Sequence, residues 1–172
     1  HDEQLSREER LRLIEDVRDD AQWLIRVVEN LLSITRLGAE NTRLHKTMEA
    51  VEEVVEGAVE KFARRYPQIQ IRVEVPEEVL MVPMDPLLIQ QVLLNLLENA
   101  VAHGKTTTHI CLSVHHEGSF ARFVVQDNGC GFSEKELPTL FDGSLKHSET
   151  TSGDGKRNMG LGLSVCLAIV RA

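Results

Sequence analysis

Two asparagines four positions apart, Asn95 and Asn99, stand inside the run 90–104, QQVLLNLLENAVAHG. On a helix that spacing puts both amides on one edge, a turn apart. An amide oxygen is a hard, neutral ligand of the kind Mg²⁺ takes beside the waters it keeps. A second cluster follows at Asp127-Asn128-Gly129-Cys130-Gly131. A carboxylate held at a strand end can accept a hydrogen bond from an exocyclic amine such as adenine carries. Gly129 and Gly131 open backbone conformations closed to other residues and let a flat base come near the main chain. A third feature, Gly160-Leu161-Gly162-Leu163, precedes a helical pattern. There the first N–H groups and the helix dipole can face phosphate. Taken singly, each reads equally as a surface amide or a turn. Together and in this order they point to a Mg-nucleotide site.

The elements that must position these groups are legible from periodicity. Asp85-Pro86 is a helix start, with Asp as cap and Pro in the first turn. Ile89, Val92, Leu93, Leu96, Leu97 and Ala100 then fall on one face at helical spacing. Upstream, Ser6 and Glu9 form a capping-box pattern, opening a helix over 6–37 that Gly38 stops. Ile14, Val17, Ala21, Leu24, Val28 and Leu31, widened by Ile25 and Leu32, make a heptad seam that wants a partner helix. Residues 38–46 read as a linker and 49–66 as a second helix, with Val51, Val54, Val55, Ala58 and Phe62 inward. Ile69, Ile71, Val73 and Val75 alternate as a half-buried strand, and 80–82 is a short second one. Residues 108–114 and 121–125 alternate on either side of a turn, an antiparallel hairpin. Residues 133–140 read as a helical turn, 144–158 as a mobile polar loop and 164–172 as a last helix. The order predicts an α+β fold, a mixed sheet with helices on one face, preceded by a helical N-terminal piece.

Composition narrows the partners. The 172 residues carry a net charge of -8, which argues against non-specific nucleic-acid binding, since that needs a basic face. Cys111, Cys130 and Cys166 are odd in number and widely spaced, so a reducing, cytoplasmic setting is expected rather than a disulfide framework. No apolar run approaches a membrane span, and the seven histidines show no metal-binding spacing.

The series N-L-L-E-N-A (Asn95 to Ala100), D-N-G-C-G (Asp127 to Gly131), Phe141 and G-L-G-L (Gly160 to Leu163) resembles the N, G1, F and G2 boxes of sensor histidine kinases. The long first helix resembles the second helix of their dimerisation hairpin. The run W-L-I-R-V-V-E-N-L-L-S-I-T-R-L, Trp23 to Leu37, is most similar to the Kdp potassium sensor kinases. The resemblance implies a Bergerat-type α/β sandwich over 39–172 with hairpin helix 1–38 attached. It implies ATP and Mg²⁺ as cofactors. Asp127 would hold the adenine amine, Asn99 Mg²⁺, and Asn95 would lie near the phosphates. Gly129 and Gly131 would wall the base, Gly160, Leu161, Gly162 and Leu163 would cap the phosphates, and 144–158 would be the lid. Lys156 and Arg157 read equally as a phosphate contact or a solvated pair. Implied partners are a second copy through the first helix and a response regulator. The implied location is the cytoplasmic side of an inner-membrane-anchored parent, with membrane contact made elsewhere in that parent.

Asn95 discriminates within the superfamily. Related ATP hydrolases and anti-sigma kinases carry an acid there, and an amide cannot take a proton from water at neutral pH. Transfer to a histidine is therefore the expected chemistry. The sequence also departs from the family. The acceptor box H-[DE]-L-R-T-P is absent, so neither an acceptor histidine nor its acidic neighbour is assigned. Ala102-His103 replaces the usual Lys-aromatic pair, leaving His103 or Lys105 to meet phosphate, and the residues after Phe141 lack the usual basic and aromatic types. The first hairpin helix and the final strands are also expected but not found. These departures keep an alternative open, a degenerate nucleotide-binding or dimerisation module without kinase activity. For the kinase reading, incubation of this chain alone with labelled ATP is expected to leave no acid-labile, base-stable phosphohistidine; its appearance would refute the missing-acceptor reading.

Overall fold

The structure, a computed structural model, describes residues 6–38, 44–134, 137–140 and 161–172. Helix α1 runs Arg7–Gly38. Its start is the expected capping box: the Ser6 N–H donates to Glu9 Oε2 at 2.7 Å, and the Glu9 N–H donates to Ser6 Oγ at 3.2 Å. The seam Ile14, Val17, Leu24, Val28 and Leu31 is more than half exposed along its length. It faces away from the rest of the chain, and α1 packs on the remaining elements through its other side.

Strand β1 (Thr47–Ala50) leads directly into helix α2 (Val51–Arg65). This corrects one expectation: residues 47–50 form a strand, and the second helix begins at Val51 rather than at residue 49. Thr-Met-Glu-Ala has no strand periodicity of its own. It is held extended by antiparallel pairing with β3 (Met81–Met84), in the register Thr47↔Met84 to Ala50↔Met81. Pro83 is tolerated because this two-stranded ribbon leaves its missing donor on an edge. The inward face of α2 is the expected one: Val51, Val54, Val55, Ala58 and Phe62 are all buried.

The main sheet has three strands in the order β2-β4-β5. Strand β2 (Gln70–Glu74) pairs parallel to β4 (His109–Glu117), and β4 pairs antiparallel to β5 (Phe120–Asp127). The sheet is therefore mixed, as expected. In the central strand β4, Ile110, Leu112 and Val114 are fully buried. In the edge strand β2 the alternation is only half honoured, because Val73 is 42% exposed.

Helix α3 (Pro86–Gly104) is the centre of the core. Asp85 caps it by accepting from the Leu87 and Leu88 N–H groups at 3.1 and 3.2 Å, with Pro86 in the first turn. Leu93 packs with α2 and β4, Leu94, Leu97 and Ala100 with Phe62 and Ile110, and Leu88 and Val92 with Val165, Cys166 and Ile169. Those last three belong to helix α4 (Leu161–Arg171). This helix starts at Leu161 rather than at residue 164, so Gly162 and Leu163 lie in its first turn. The expected helical turn near residue 137 is a short 3₁₀ turn, Leu137–Thr139. Phe141, Gly160 and the loop 144–158 lie outside the described residues.

Leu97 is wholly buried, whereas Val79 is 67% exposed. Leu97→Ala is expected to destabilise the chain by about 2–5 kcal/mol and Val79→Ala by less than about 0.5 kcal/mol in urea unfolding.

Candidate nucleotide site

Three chain segments converge on one cleft of about 170 Å³. Helix α3 contributes Leu96, Asn99, Ala100, His103 and Gly104; β5 and the loop after it contribute Val125, Asp127, Gly131 and Phe132; α4 contributes Leu163. The lining is mostly apolar, with an amide, an imidazole and a carboxylate set into it. That is the usual make-up of a small-molecule site.

The loop after β5 is bolted to the end of α3. The Cys130 N–H donates to the Gly104 carbonyl at 3.0 Å. A Cβ on Gly129 would stand 2.5 Å from Gly104 Cα and 2.7 Å from both Asp127 Oδ1 and Thr107 Oγ1. One on Gly104 would stand 1.9 Å from Thr107 Oγ1. Thr107 is itself tied down, donating to the Ala100 carbonyl at 2.6 Å. The two glycines are thus required by close backbone approach. This corrects the conformational argument for Gly129; of the pair in D-N-G-C-G, Gly131 is the one in the left-handed region, at φ +68. Asn128 staples the same loop to the start of β4, accepting from the Thr108 and His109 N–H groups at 2.9 and 3.1 Å. Asp127 Oδ1 accepts from the Gly129 N–H at 2.7 Å, which orients the carboxylate and leaves its second oxygen for a ligand.

The two asparagines differ. Asn99 lines the cleft, and its Nδ2 is buried with no hydrogen-bond partner among the described residues. A buried amide without a partner is costly unless a ligand completes it. Asn95 is buried outside the cleft lining, where α1, α3 and α4 meet. Its Nδ2 donates to Asn30 Oδ1 at 3.1 Å and to the Gly162 carbonyl at 3.4 Å, and its Oδ1 accepts from Gln91 Nε2 at 3.2 Å. Gly162 faces both asparagines, since a Cβ there would lie 3.9 Å from the Asn95 Cγ and from the Asn99 amide atoms. Beside Asn95, burial pushes the Cys166 thiol up to about 11, so it stays protonated.

Glu98, adjacent in sequence, points elsewhere. It pairs with Arg65 of α2 and, at 3.9 Å, with Arg26 of α1. Burial raises its pKa above the usual carboxylate range, against the pull of both arginines. It is no base for the cleft. His103 does reach the cleft and tilts against Phe132, with ring centroids 6.3 Å apart. Among the described residues no group of three His, Cys, Asp or Glu side chains could hold a metal by itself.

The sequence profile of the histidine kinase-, DNA gyrase B- and HSP90-like ATPases matches residues 84–172, just over half of the chain. The chain belongs to this ATPase family. Sensor protein KdpD of Clostridium acetobutylicum is 41% identical over 160 residues, 93% of this chain and 18% of that protein. KdpD of Escherichia coli K12 is 31% identical over 159 residues, 92% of this chain and 17% of that one. The chain therefore spans less than a fifth of the length of these curated relatives. Among solved structures, the Acinetobacter baumannii histidine kinase AdeS aligns with a TM-score of 0.65 at 23% identity, covering 92% of this chain and 72% of the other. Full-length ShkA in complex with AMPPNP aligns with a TM-score of 0.65 at 22% identity, covering 98% and 35%. At these identities the structures establish the fold, the Bergerat-type sandwich of the ATPase family.

Within that ATPase fold the structure brings together Asn99, His103, Asp127, Gly131 and Leu163 around the cleft. It sets Gly129 behind it and Asn95 and Gly162 beside it. Leu161 begins α4, and Gly160 is outside the described residues. Sequence reasoning missed Phe132, Thr107, Asn128 and Asn30. Asn128 had a visible signal, an Asx residue before Gly at a strand end. Thr107 and Phe132 had none, because their roles come from contacts across the chain. The two glycine environments separate structure from function. Gly129→Ala is expected to destabilise the fold by about 1–3 kcal/mol through overpacking against Gly104. Gly162→Ala is expected to keep or slightly raise stability, by up to about 1 kcal/mol from helix propensity, as read by thermal unfolding.

Proposed function

We propose that the chain is the ATP-binding catalytic part of a Kdp-type sensor histidine kinase. In the intact protein a histidine outside this chain receives the γ-phosphoryl group, and an aspartate of a response regulator takes it on. The observation that carries this reading is the buried Asn99 Nδ2, without a partner among the described residues, in a cleft whose opposite wall holds an oriented, exposed Asp127. When bound, ATP supplies the phosphoryl group and Mg²⁺ the charge that neutralises it. The residues present fit both. Asn99 would offer Mg²⁺ its amide oxygen beside phosphate oxygens and water, while the group without a partner among the described residues is its Nδ2, a donor suited to an acceptor such as a phosphate oxygen. Asp127 accepts from the adenine amine with the oxygen its turn leaves open. Gly131 and Phe132 flank the base, and the first-turn N–H groups of α4, at Leu161 to Leu163, face phosphate. Ala102 stands at the family's lysine position, and His103 beside it, in the cleft lining, is the proposed substitute at the phosphate end. Asn95, an amide, activates no water, which favours phosphoryl transfer over hydrolysis. Such catalysis rests on positioning and charge neutralisation.

Residues 1–38 serve as the second helix of the dimerisation hairpin and 39–172 as the catalytic domain. The exposed apolar seam of α1, at Ile14, Val17, Leu24, Val28 and Leu31, supports pairing with a second copy in the intact protein. No helix among the described residues is long and apolar enough to cross a membrane; the membrane anchor proposed for the parent lies outside this chain. The similarity to KdpD sensor proteins supports the kinase over a module without chemistry.

Mg-ATP at about 100 times its dissociation constant is expected to stabilise the chain by ~2.7 kcal/mol in thermal unfolding. Asp127→Ala is expected to abolish that stabilisation while unfolding at nearly the same temperature without ligand. An unchanged response in the variant would rule out the adenine role.

A further inference from the structure

Helix α1 carries a second stripe, opposite in character to its apolar seam. Arg26, Asn30 and Ser33 follow at spacings of four and three, and Asn30 and Ser33 are 9% and 6% exposed on a helix whose large apolar residues are mostly in solvent. Arg26 and Asn30 lie against α3, to which α1 runs antiparallel, while Ser33 Oγ donates to the Glu29 carbonyl of α1 itself and α1 also packs on α4. Arg26 meets Glu98, and one turn along α1 Asn30 meets Asn95, three residues back along α3. Asn30 Oδ1 also lies 3.4 Å from Gln91 Nε2, which donates to it. Buried polar contacts of this kind contribute little net stability but fix one register between packed helices.

The consequence lies at Asn95. Both hydrogens of its amide are engaged, one by Asn30 and one by the Gly162 carbonyl, and its oxygen accepts from Gln91. Asn99, one turn further on the same edge of α3, has a buried amide nitrogen with no partner among the described residues. One asparagine is ready for a ligand and the other is occupied by α1. Gly162 sits in the first turn of α4, so α1, α3 and the phosphate end of the cleft share one polar junction.

We propose that Asn30 is a positioning residue that couples α1 to the nucleotide site. While α1 is docked it holds Asn95 to itself, and Mg-nucleotide binding draws Asn95 to the ligand and releases the polar stripe of α1. This rests on the reading of the cleft as an ATP site. Nucleotide affinity is then reduced by the fraction of molecules in the docked state, and removing the Asn30 acceptor raises it. Both bonds to Asn30 use its oxygen, so aspartate preserves them and alanine does not.

The test uses the full chain. Mg-ATP affinity is measured by calorimetric titration, and backbone hydrogen exchange along α1 is followed with and without Mg-ATP. Asn30→Ala is expected to bind Mg-ATP about five- to tenfold more tightly than wild type, the factor a lost buried hydrogen bond allows. Asn30→Asp is expected not to tighten binding, and Mg-ATP is expected to speed exchange in the wild-type α1 around residues 26–33. Asn30→Leu, close in volume, repeats the alanine test should alanine fold poorly. If wild type binds Mg-ATP and neither Asn30→Ala nor Asn30→Leu binds more tightly, the coupling is wrong while the ATP site stands. If Asn30→Ala only lowers the melting temperature, Asn30 is structural and the proposal falls. If neither wild type nor Asn30→Ala binds Mg-ATP, the reading of the cleft fails and takes this proposal with it.

Discussion

The site depends on the backbone of Gly104 meeting the backbone of Gly129 with no side chain between them. A methyl group on either would overlap its neighbours, and the Thr107 hydroxyl already fills the remaining space. The contact joins the last turn of α3 to the exit of β5, two segments that come together only when the sheet is capped by its helices. Asn99 and Asp127 sit just before these two glycines in their own segments. The close approach therefore sets the width of the cleft between amide and carboxylate. The Cys130 to Gly104 bond and the Asn128 staple to β4 add direction to what packing alone would leave loose.

Around that joint, α3 is packed on most of its circumference. Its apolar residues go to α2 and the sheet on one side and to α4 on the other. Little of the helix remains for polar groups, and that remainder holds Gln91, Asn95, Glu98 and Asn99. Glu98 and Asn99 diverge because adjacent helix positions point more than a quarter-turn apart, whereas Asn95 and Asn99 share an edge and differ in which neighbours stand at their level along the helix. Glu98 is drawn to two arginines on α1 and α2, Asn95 to α1 and α4, and Asn99 to the cleft. A short stretch of sequence thus serves an ion pair, an interhelix junction and a ligand site at once.

Helix α1 shows the same division of labour on a larger scale. Its apolar seam is turned outward, and its side toward α3 and α4 mixes polar Arg26 and Asn30 with half-buried Trp23 and Val27. A helix that bound its own domain through hydrophobic area would be hard to release. Contacts through Arg26 and Asn30 exchange readily for water and ligand, so they define a position at small net cost. The outward seam leaves apolar area uncovered among the described residues.

Periodicity and short motifs were enough to predict α1, the inward face of α2, the alternation of β4 and the capped start of α3. Each of these is decided by local propensity and by which residues must leave water. Strand β1 was illegible, since Thr-Met-Glu-Ala is extended only because β3 is beside it. The burial of Val73 was overestimated, since alternation reports a face and not whether the edge of a sheet is covered. At the site, Asn99, Asp127 and Gly131 were legible as residue types in a recognisable order. By itself the sequence determined what each segment can offer: an amide, a carboxylate, free N–H groups, a glycine. Only the tertiary structure decided which offers meet. It made Gly129 a packing requirement rather than a conformational one, left the Asn99 Nδ2 without a partner among the described residues and gave Asn95 to Asn30, 65 positions away. The reason is that hydrogen bonds and close contacts depend on distances between segments, and those distances exist only after the core has formed.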